Sequence, residues 1–249
     1  MVHRQIFNGE SMTYILVDTA NTFFRARHAV RGDADMKIGM ALHTTFQSIR
    51  KAWQDFNGSH VVFCLEGRSW RKDFYEPYKK NRAVARAALT EKEQEEEQLF
   101  WETFDEFTKY LRERTNCSVL RHENAEADDL IARWIDLHKD DEHTIISSDT
   151  DFVQLIANNV QQYNGITDEL ITHEGIFNSK GDRVLDKKTK EPKAIPDPEW
   201  LLLRSACEAT VVTMCFQRIQ VYARKAQRTR LACWKRLRIV AQKDTIGTI

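Results

Sequence analysis

Two short acidic stretches carry the chemistry open to this chain: Glu126-Ala127-Asp128-Asp129 and Asp149-Thr150-Asp151. The first opens an apolar-periodic segment (Leu130, Ile131, Trp134, Ile135), and the second follows the strand-like run His143-Thr144-Ile145-Ile146-Ser147-Ser148. Like charges this close repel, and keeping several ionised at a strand end costs free energy unless cations neutralise them. Hard divalent cations such as Mg²⁺ bind through carboxylate oxygens and keep several waters. A carboxylate cluster with such an ion at the carboxyl ends of strands points to phosphoryl transfer.

The elements that must position these acids read as α/β. Tyr14-Ile15-Leu16-Val17-Asp18 is a short buried strand ending in a carboxylate, and His60-Val61-Val62-Phe63-Cys64-Leu65-Glu66-Gly67 repeats that design. Between them, Ile38, Leu42, Phe46, Ile49 and Trp53 fall at helical spacing over residues 38–56. A second helix over 91–114 has an acidic start and an apolar stripe at Leu99, Phe100, Phe104, Phe107 and Leu111. Strand and helix alternate, so a mostly parallel, Rossmann-like sheet with helices on both faces is the economical arrangement. Ligands gather outside the carboxyl ends of such strands.

That placement makes one constellation of Asp18, Glu66, Glu126, Asp128, Asp129, Asp149 and Asp151. Asp149 and Asp151, two apart, share a side if the backbone there is extended. Glu126 and Asp129 share a helix face in a first turn, where the helix dipole favours anions. For any one of these residues a helix cap or a turn is as good an explanation. It accounts poorly for the set, because four segments each place acids at the same structural point.

The segment Trp70-Arg71-Lys72-Asp73-Phe74-Tyr75-Glu76-Pro77-Tyr78-Lys79-Lys80-Asn81-Arg82 interleaves aromatic and basic residues just after Glu66. Its cations can neutralise phosphates and a tyrosine face can stack on an unpaired base. The plainer alternative is a solvated loop with Trp70 and Phe74 tucked inward; its place beside the acids favours nucleic acid. Glu91–Gln98 reads as a solvated helix face, His122 as a surface residue and 178–193 as a polar hairpin or loop.

Composition sets the bounds. With 249 residues, 42% of them hydrophobic, the chain can build one large domain, or one domain with an appendage. No run of about 18 apolar residues predicts a membrane span, and no signal-peptide pattern opens the chain. Five cysteines without paired metal spacing (Cys64, Cys117, Cys207, Cys215, Cys233) fit a reducing cytoplasm. The net charge of zero hides a division. Residues 204–249 hold ten Lys/Arg against Glu208 and Asp244, a net +8, which leaves −8 on residues 1–203.

Together the segments resemble the flap endonuclease/5′→3′ exonuclease family, in particular bacteriophage 5′ nucleases of the RNase H type, from about Tyr14 to Leu203. The likeness rests on Ile15-Leu16-Val17-Asp18, Trp70-Arg71 through Tyr78-Lys79-Lys80-Asn81-Arg82, Glu126-Ala127-Asp128-Asp129, and Ser147-Ser148-Asp149-Thr150-Asp151-Phe152, in the family's order. It implies a PIN-like catalytic domain over 1–203 with a helical arch at about 83–112. It also implies divalent-metal hydrolysis of DNA or RNA–DNA 5′ ends, with two Mg²⁺ sites and Mn²⁺ as a substitute. Asp18, Glu66, Glu126, Asp128 and Asp129 would surround one metal, although many members have Asp where Glu66 stands. Asp149 and Asp151 would contribute to the second. Lys79 and Arg82 would be catalytic at the base of the arch, and Arg71, Tyr78 and Lys80 would join them on the nucleic acid. Flap DNA, replication proteins, a monomeric state and the host cytoplasm complete the expectation. A PIN-like ribonuclease, with a similar acidic cluster but no arch, is a further alternative, against which the Tyr78–Arg82 segment and the arch-length insertion speak.

The chain departs from the family after Pro196-Asp197-Pro198-Glu199-Trp200-Leu201-Leu202-Leu203. The resemblance calls there for Gly-Asp-x-Ser-Asp-Asn, which completes the second metal site, and then for a helix-hairpin-helix clamp on duplex phosphates. Arg204 to Gln217 holds no acidic pair. Reading each new codon from the third base of one written codon and the first two of the next converts this stretch to K-C-M-R-G-D-x-S-D-N-V-F-S. The same frame then gives A-Y-P-G-V and, further on, K-G-T-K-N-K-V-G-L-L. Residues 204–249 are therefore expected to be a frameshifted, poorly packed basic tail without the helix-hairpin-helix region. That would leave the chain impaired, or a nucleic-acid-binding remnant. Resequencing the coding DNA across the Leu203–Arg204 codons should reveal an insertion or deletion, and an unbroken frame would refute this origin.

Overall fold

The computed structural model describes residues 11–28, 32–74, 78–79, 86–201 and 203. The chain divides into compact units at Met1–Pro198 and Glu199–Ile249, and the architecture below is that of the first. Lys80, Arg82 and residues 204–249, with the expectations placed on that tail, lie outside the described residues.

Seven strands form one sheet in the order β3-β2-β1-β4-β5-β6-β7. These are β1 Thr13–Asp18, β2 His60–Cys64, β3 Ser118–Leu120, β4 Glu142–Ile146, β5 Val160–Asn164, β6 Glu169–Thr172 and β7 Gly175–Phe177. The first five pair in parallel, with Ile15 beside Val61 and Thr144, and β6 and β7 add an antiparallel edge. The helices are α1 Thr19–His28, α2 Ala34–Asp55, α3 Arg71–Phe74, α4 Glu91–Arg114 and α5 Ala127–Leu137, with a 3₁₀ helix at Thr150–Leu155. Mostly parallel sheet and flanking helices give the PIN-like, Rossmann-like architecture that the sequence suggested.

Alternation along the strands explains the layers. Side chains of one strand point to opposite faces in turn. Ile15, Val17, Val61, Phe63 and Ile146 pack on one face with Ile49 and Ala52 of α2 and Phe107 and Leu111 of α4. Leu16, Val62, Cys64 and Ile145 pack on the other with Ala127 and Ile131 of α5. Burial on both faces is why these strands read as continuous apolar runs. Beyond the sheet, Phe23 and Ala26 of α1 join Ile38 and Ala41 of α2 and Phe100 and Phe104 of α4. Two helices start on strong caps. Asp33 accepts the Met36 N–H at 2.9 Å for α2, and Thr90 and Glu93 form a capping box for α4.

The connections create the site. After β1 the chain steps outward to β2 and β3; α5 then carries it back across the sheet to β4, on the other side of β1. The strand order thus reverses between β1 and β4, the point at which open α/β sheets leave a crevice. None of the described helices is long and apolar enough to cross a membrane.

Phe107 ties the layers together, with ring centroids 5.9 Å from Phe23, 5.5 Å from Phe46 and 6.1 Å from Phe63. Phe107→Ala should destabilise the protein by about 3–5 kcal/mol in denaturant titrations, the usual range for deleting a buried phenyl ring.

Candidate metal centre

Asp18 ends β1 at the reversal point and is 5% exposed. Its Oδ2 accepts the Ser147 hydroxyl at 2.8 Å and its Oδ1 the Asn21 N–H at 3.4 Å, which ties it to β4 and to the first turn of α1. Burial pushes this carboxyl up to about 7, opposed by those hydrogen bonds and reinforced by Glu66 and Asp149. Asp18 thus feels the charge of both acids expected on neighbouring segments.

Glu66 follows β2 by two residues, and its Oε2 accepts the Ala127 N–H at the start of α5 at 3.3 Å. Its pKa is raised by desolvation and by Glu126 and Asp128, while Lys79 pulls it down. Three backbone bonds hold this loop against the one after β3: Leu65 N–H to Leu120 O, Gly67 N–H to Ala125 O and Arg68 N–H to Glu123 O, each at 2.9 Å. A Cβ on Gly67 would lie 1.9 Å from the His122 carbonyl oxygen, so only glycine permits this approach.

Glu126, Asp128 and Asp129 each bring a carboxylate oxygen within 4.8 Å of the others. Glu126, 4% exposed, caps α5, and its N–H donates to Asp129 Oδ2 at 3.0 Å. It accepts from Ser69 Oγ at 2.6 Å, Arg71 Nη1 at 2.6 Å, Tyr78 Oη at 3.1 Å and the Lys79 ammonium. Burial opposes its ionisation, but these donors, Lys79 foremost, hold its pKa below the ordinary value. Asp128 is raised by desolvation, against the pull of Arg71. Arg71 also reaches Asp129 through both terminal nitrogens, at 2.9 and 3.1 Å, and lies 3.6 Å from Asp128. A guanidinium seated on all three carboxylates shows that this pocket takes positive charge. Its oxygen-only donors suit a hard cation.

Arg71, Tyr78 and Lys79 therefore meet the carboxylates directly. Lys79 has φ 55°, left-handed backbone that costs a non-glycine residue about 1 kcal/mol, and strain of this kind clusters at functional sites. The second acidic stretch differs from the extended backbone assumed for it. Asp149 caps the 3₁₀ helix, its Oδ1 accepting the Asp151 N–H at 3.0 Å, so the two-residue alternation does not apply and Asp151 is exposed. Asp149 itself is held by Ser147 Oγ on its N–H and Gln162 Nε2 on its carbonyl. Sequence reasoning passed over Ser69, Ser147, Asn21 and Gly67. Only the serines directly before Asp149 offered a signal.

Residues 13–181 match the profile of the 5'-3' exonuclease, N-terminal resolvase-like domain. The chain belongs to this family. It is 27% identical over 205 residues to a flap endonuclease Xni of Shewanella loihica, covering 78% of this chain and 74% of the relative. To the Xni protein of Aeromonas salmonicida it is 30% identical over 160 residues, or 60% of this chain and 55% of that one. The matched span is thus about three quarters of one relative and about half of the other. The fold resembles T5 5'-exonuclease solved with zinc ions, with a TM-score of 0.54 and 20% identity over 78% of this chain and 75% of that chain.

The Asp18 carboxyl gives this family member a testable linkage. Its folded pKa of about 7 lies above the ordinary value of 3.8. The group therefore favours folding fully only below about pH 4, and that stability is lost as pH rises through 7. In EDTA, Asp18→Asn should stabilise the protein at pH 8, by at most about 4 kcal/mol, and change little at pH 4. Parallel urea midpoints at the two pH values would contradict this linkage.

Proposed function

We propose that this chain is a divalent-metal-dependent 5′→3′ nuclease that hydrolyses phosphodiester bonds at 5′ flaps or RNA–DNA ends, working as a cytoplasmic monomer. One observation carries the reading: within the family-matched residues, Glu126, Asp128 and Asp129 converge at the carboxyl edge of the sheet with two cations, Arg71 and Lys79, bonded to them.

In this reading Asp18, Glu66, Glu126, Asp128 and Asp129 hold one cation, and Asp149 with Asp151 contributes to a second. Mg²⁺ or Mn²⁺ suits such oxygen donors. A divalent ion bound there supplies Lewis acidity and makes hydroxide available near neutral pH. The chain's own groups do the positioning. Ser147 and Asn21 aim Asp18, the Gly67 strap fixes Glu66, and Ser69 orients Glu126. Lys79, now on Glu126, sits where its ammonium can stabilise charge growing on a phosphate. Arg71 on the acidic triplet can turn toward the same phosphate, Tyr78 offers a ring to an unpaired base, and Lys80 and Arg82 add charge from the neighbouring sequence.

A second reading is favoured by the sequence after Leu203, where no acidic pair follows and +8 of charge accumulates. The chain as it stands then binds nucleic acid and cleaves it slowly. A 5′-flap duplex with Mg²⁺ separates the readings when this chain is compared with a version whose shifted frame is restored. The restored protein should release short products and the present chain should be slow. Failure of both to cleave defeats the nuclease proposal, and equal fast cleavage defeats the tail reading. In the restored protein, Lys79→Ala should lower the single-turnover rate about 100-fold with little change in flap affinity.

A further inference from the structure

On the β2–β3 side of the carboxylates lies an open depression of about 740 Å³, lined by Glu66, Gly67, Arg68, Arg112, Arg121 and Glu123. Its three arginines come from separate elements: the loop after β2, the last turn of α4 and the loop after β3. Among the described residues, most arginines near acids have found them. Arg71 pairs with Glu126 and Asp129, Arg86 with Glu97 and Arg133 with Asp136. Arg68 pairs with Asp73 outside the depression's lining. The side chains of Arg112 and Arg121 make no hydrogen bond or ion pair with any described residue, although Glu66 and Glu123 line the same wall.

The floor is stiff. Gly67 and Arg68 are strapped by their N–H groups to Ala125 and Glu123, and the missing Cβ of Gly67 brings the two loops into contact. The stems of Arg68 and Arg121 thus rise from loops that these bonds hold together, and Arg112 faces the same depression from α4. Glu66 belongs to this wall and also to the acidic constellation, through its bond from Ala127 and its coupling to Glu126 and Asp128. The depression and the carboxylate cluster are therefore contiguous.

We propose that Arg112 and Arg121, with Arg68 at the rim, form a phosphate subsite for the single-stranded part of a nucleic-acid substrate, next to the phosphate held at the carboxylates. The inference rests on the nuclease reading and adds where the strand runs beside the site. Planar guanidinium forks match phosphodiester oxygens with two parallel hydrogen bonds. Glu66 and Glu123 weaken the subsite for a free anion, so it acts on a phosphate already tethered by the rest of the strand. A single strand fits because its phosphates can follow a narrow depression one at a time, and its affinity then falls with salt by about 0.7 log units per log unit for each contact.

The test uses the full chain in EDTA, where nothing is cleaved, and two fluorescent duplexes, one with a 5′ single-stranded extension and one without. Arg112→Gln/Arg121→Gln should weaken binding of the extended duplex about tenfold near 0.1 M salt and lower its salt slope by about 1.4, the value for two contacts. Binding of the plain duplex should not change. Arg121→Lys, which keeps the charge, should retain most of the slope. Lys187→Gln/Lys188→Gln removes equal charge from an exposed segment and should affect both duplexes alike or neither. Unchanged binding of the extended duplex by the double arginine variant, or equal weakening of both duplexes, overturns the subsite while leaving the cleavage assay to judge the nuclease reading. So does a wild-type protein that ignores the extension.

Discussion

Repulsion among carboxylates at the carboxyl edge of the sheet is the constraint on which the rest of the site depends. Glu126, Asp128 and Asp129 stand within 4.8 Å, Glu66 presses on Glu126 and Asp128, and Asp18 presses on Glu66 from the adjacent strand. A fold keeps such a group only if each charge is answered. Here the answers come from Arg71, Lys79, Ser69 and Tyr78 around Glu126, from Ser147 and Asn21 on Asp18, and from the α5 N-terminus beneath Glu66. The left-handed backbone at Lys79 belongs to the same arrangement: local strain is accepted so that the ammonium reaches the most buried acid.

Seen from this cluster, the sheet topology is the means of assembly. Asp18 and Glu66 arrive at the ends of neighbouring parallel strands, and the crossover through α5 delivers Glu126, Asp128 and Asp129 on the turn that begins it. The same crossover moves the chain to β4, whose end supplies Ser147 and Asp149. Four segments far apart in sequence thus converge without any long loop reaching inward. Membership of the 5'-3' exonuclease family accounts for the order of these segments, and the packing accounts for why that order works.

Much of the parallel core was legible because burial on both faces leaves unbroken apolar runs, as in Ile15-Leu16-Val17 and Ile145-Ile146, each ending near a polar or acidic residue. The short strand β3, only Ser118–Leu120, carries too little pattern to be read. Strand β5 hides behind Gln161 and Gln162, the second buried because its amide donates to the carbonyls of Ser147 and Asp149. Site geometry was less legible than site membership. Nothing in Asp149-Thr150-Asp151 distinguishes a 3₁₀ cap from an extended end, since aspartate suits both. Likewise Gly67 reads as a turn until the His122 carbonyl is seen against it.

That glycine contact has a mechanical consequence. The three backbone bonds from Leu65, Gly67 and Arg68 weld the loop bearing Glu66 to the loop leading into Glu126, and the Ala127 N–H closes the brace through the Glu66 carboxylate. The two acids are therefore mounted like jaws on one braced frame, whose backbone spacing is set by peptide geometry. In the proposed metal site, a frame of fixed spacing would leave the remaining span around a small ion to water. Discrimination between ions at that proposed site would then fall on how readily each surrenders its hydration shell.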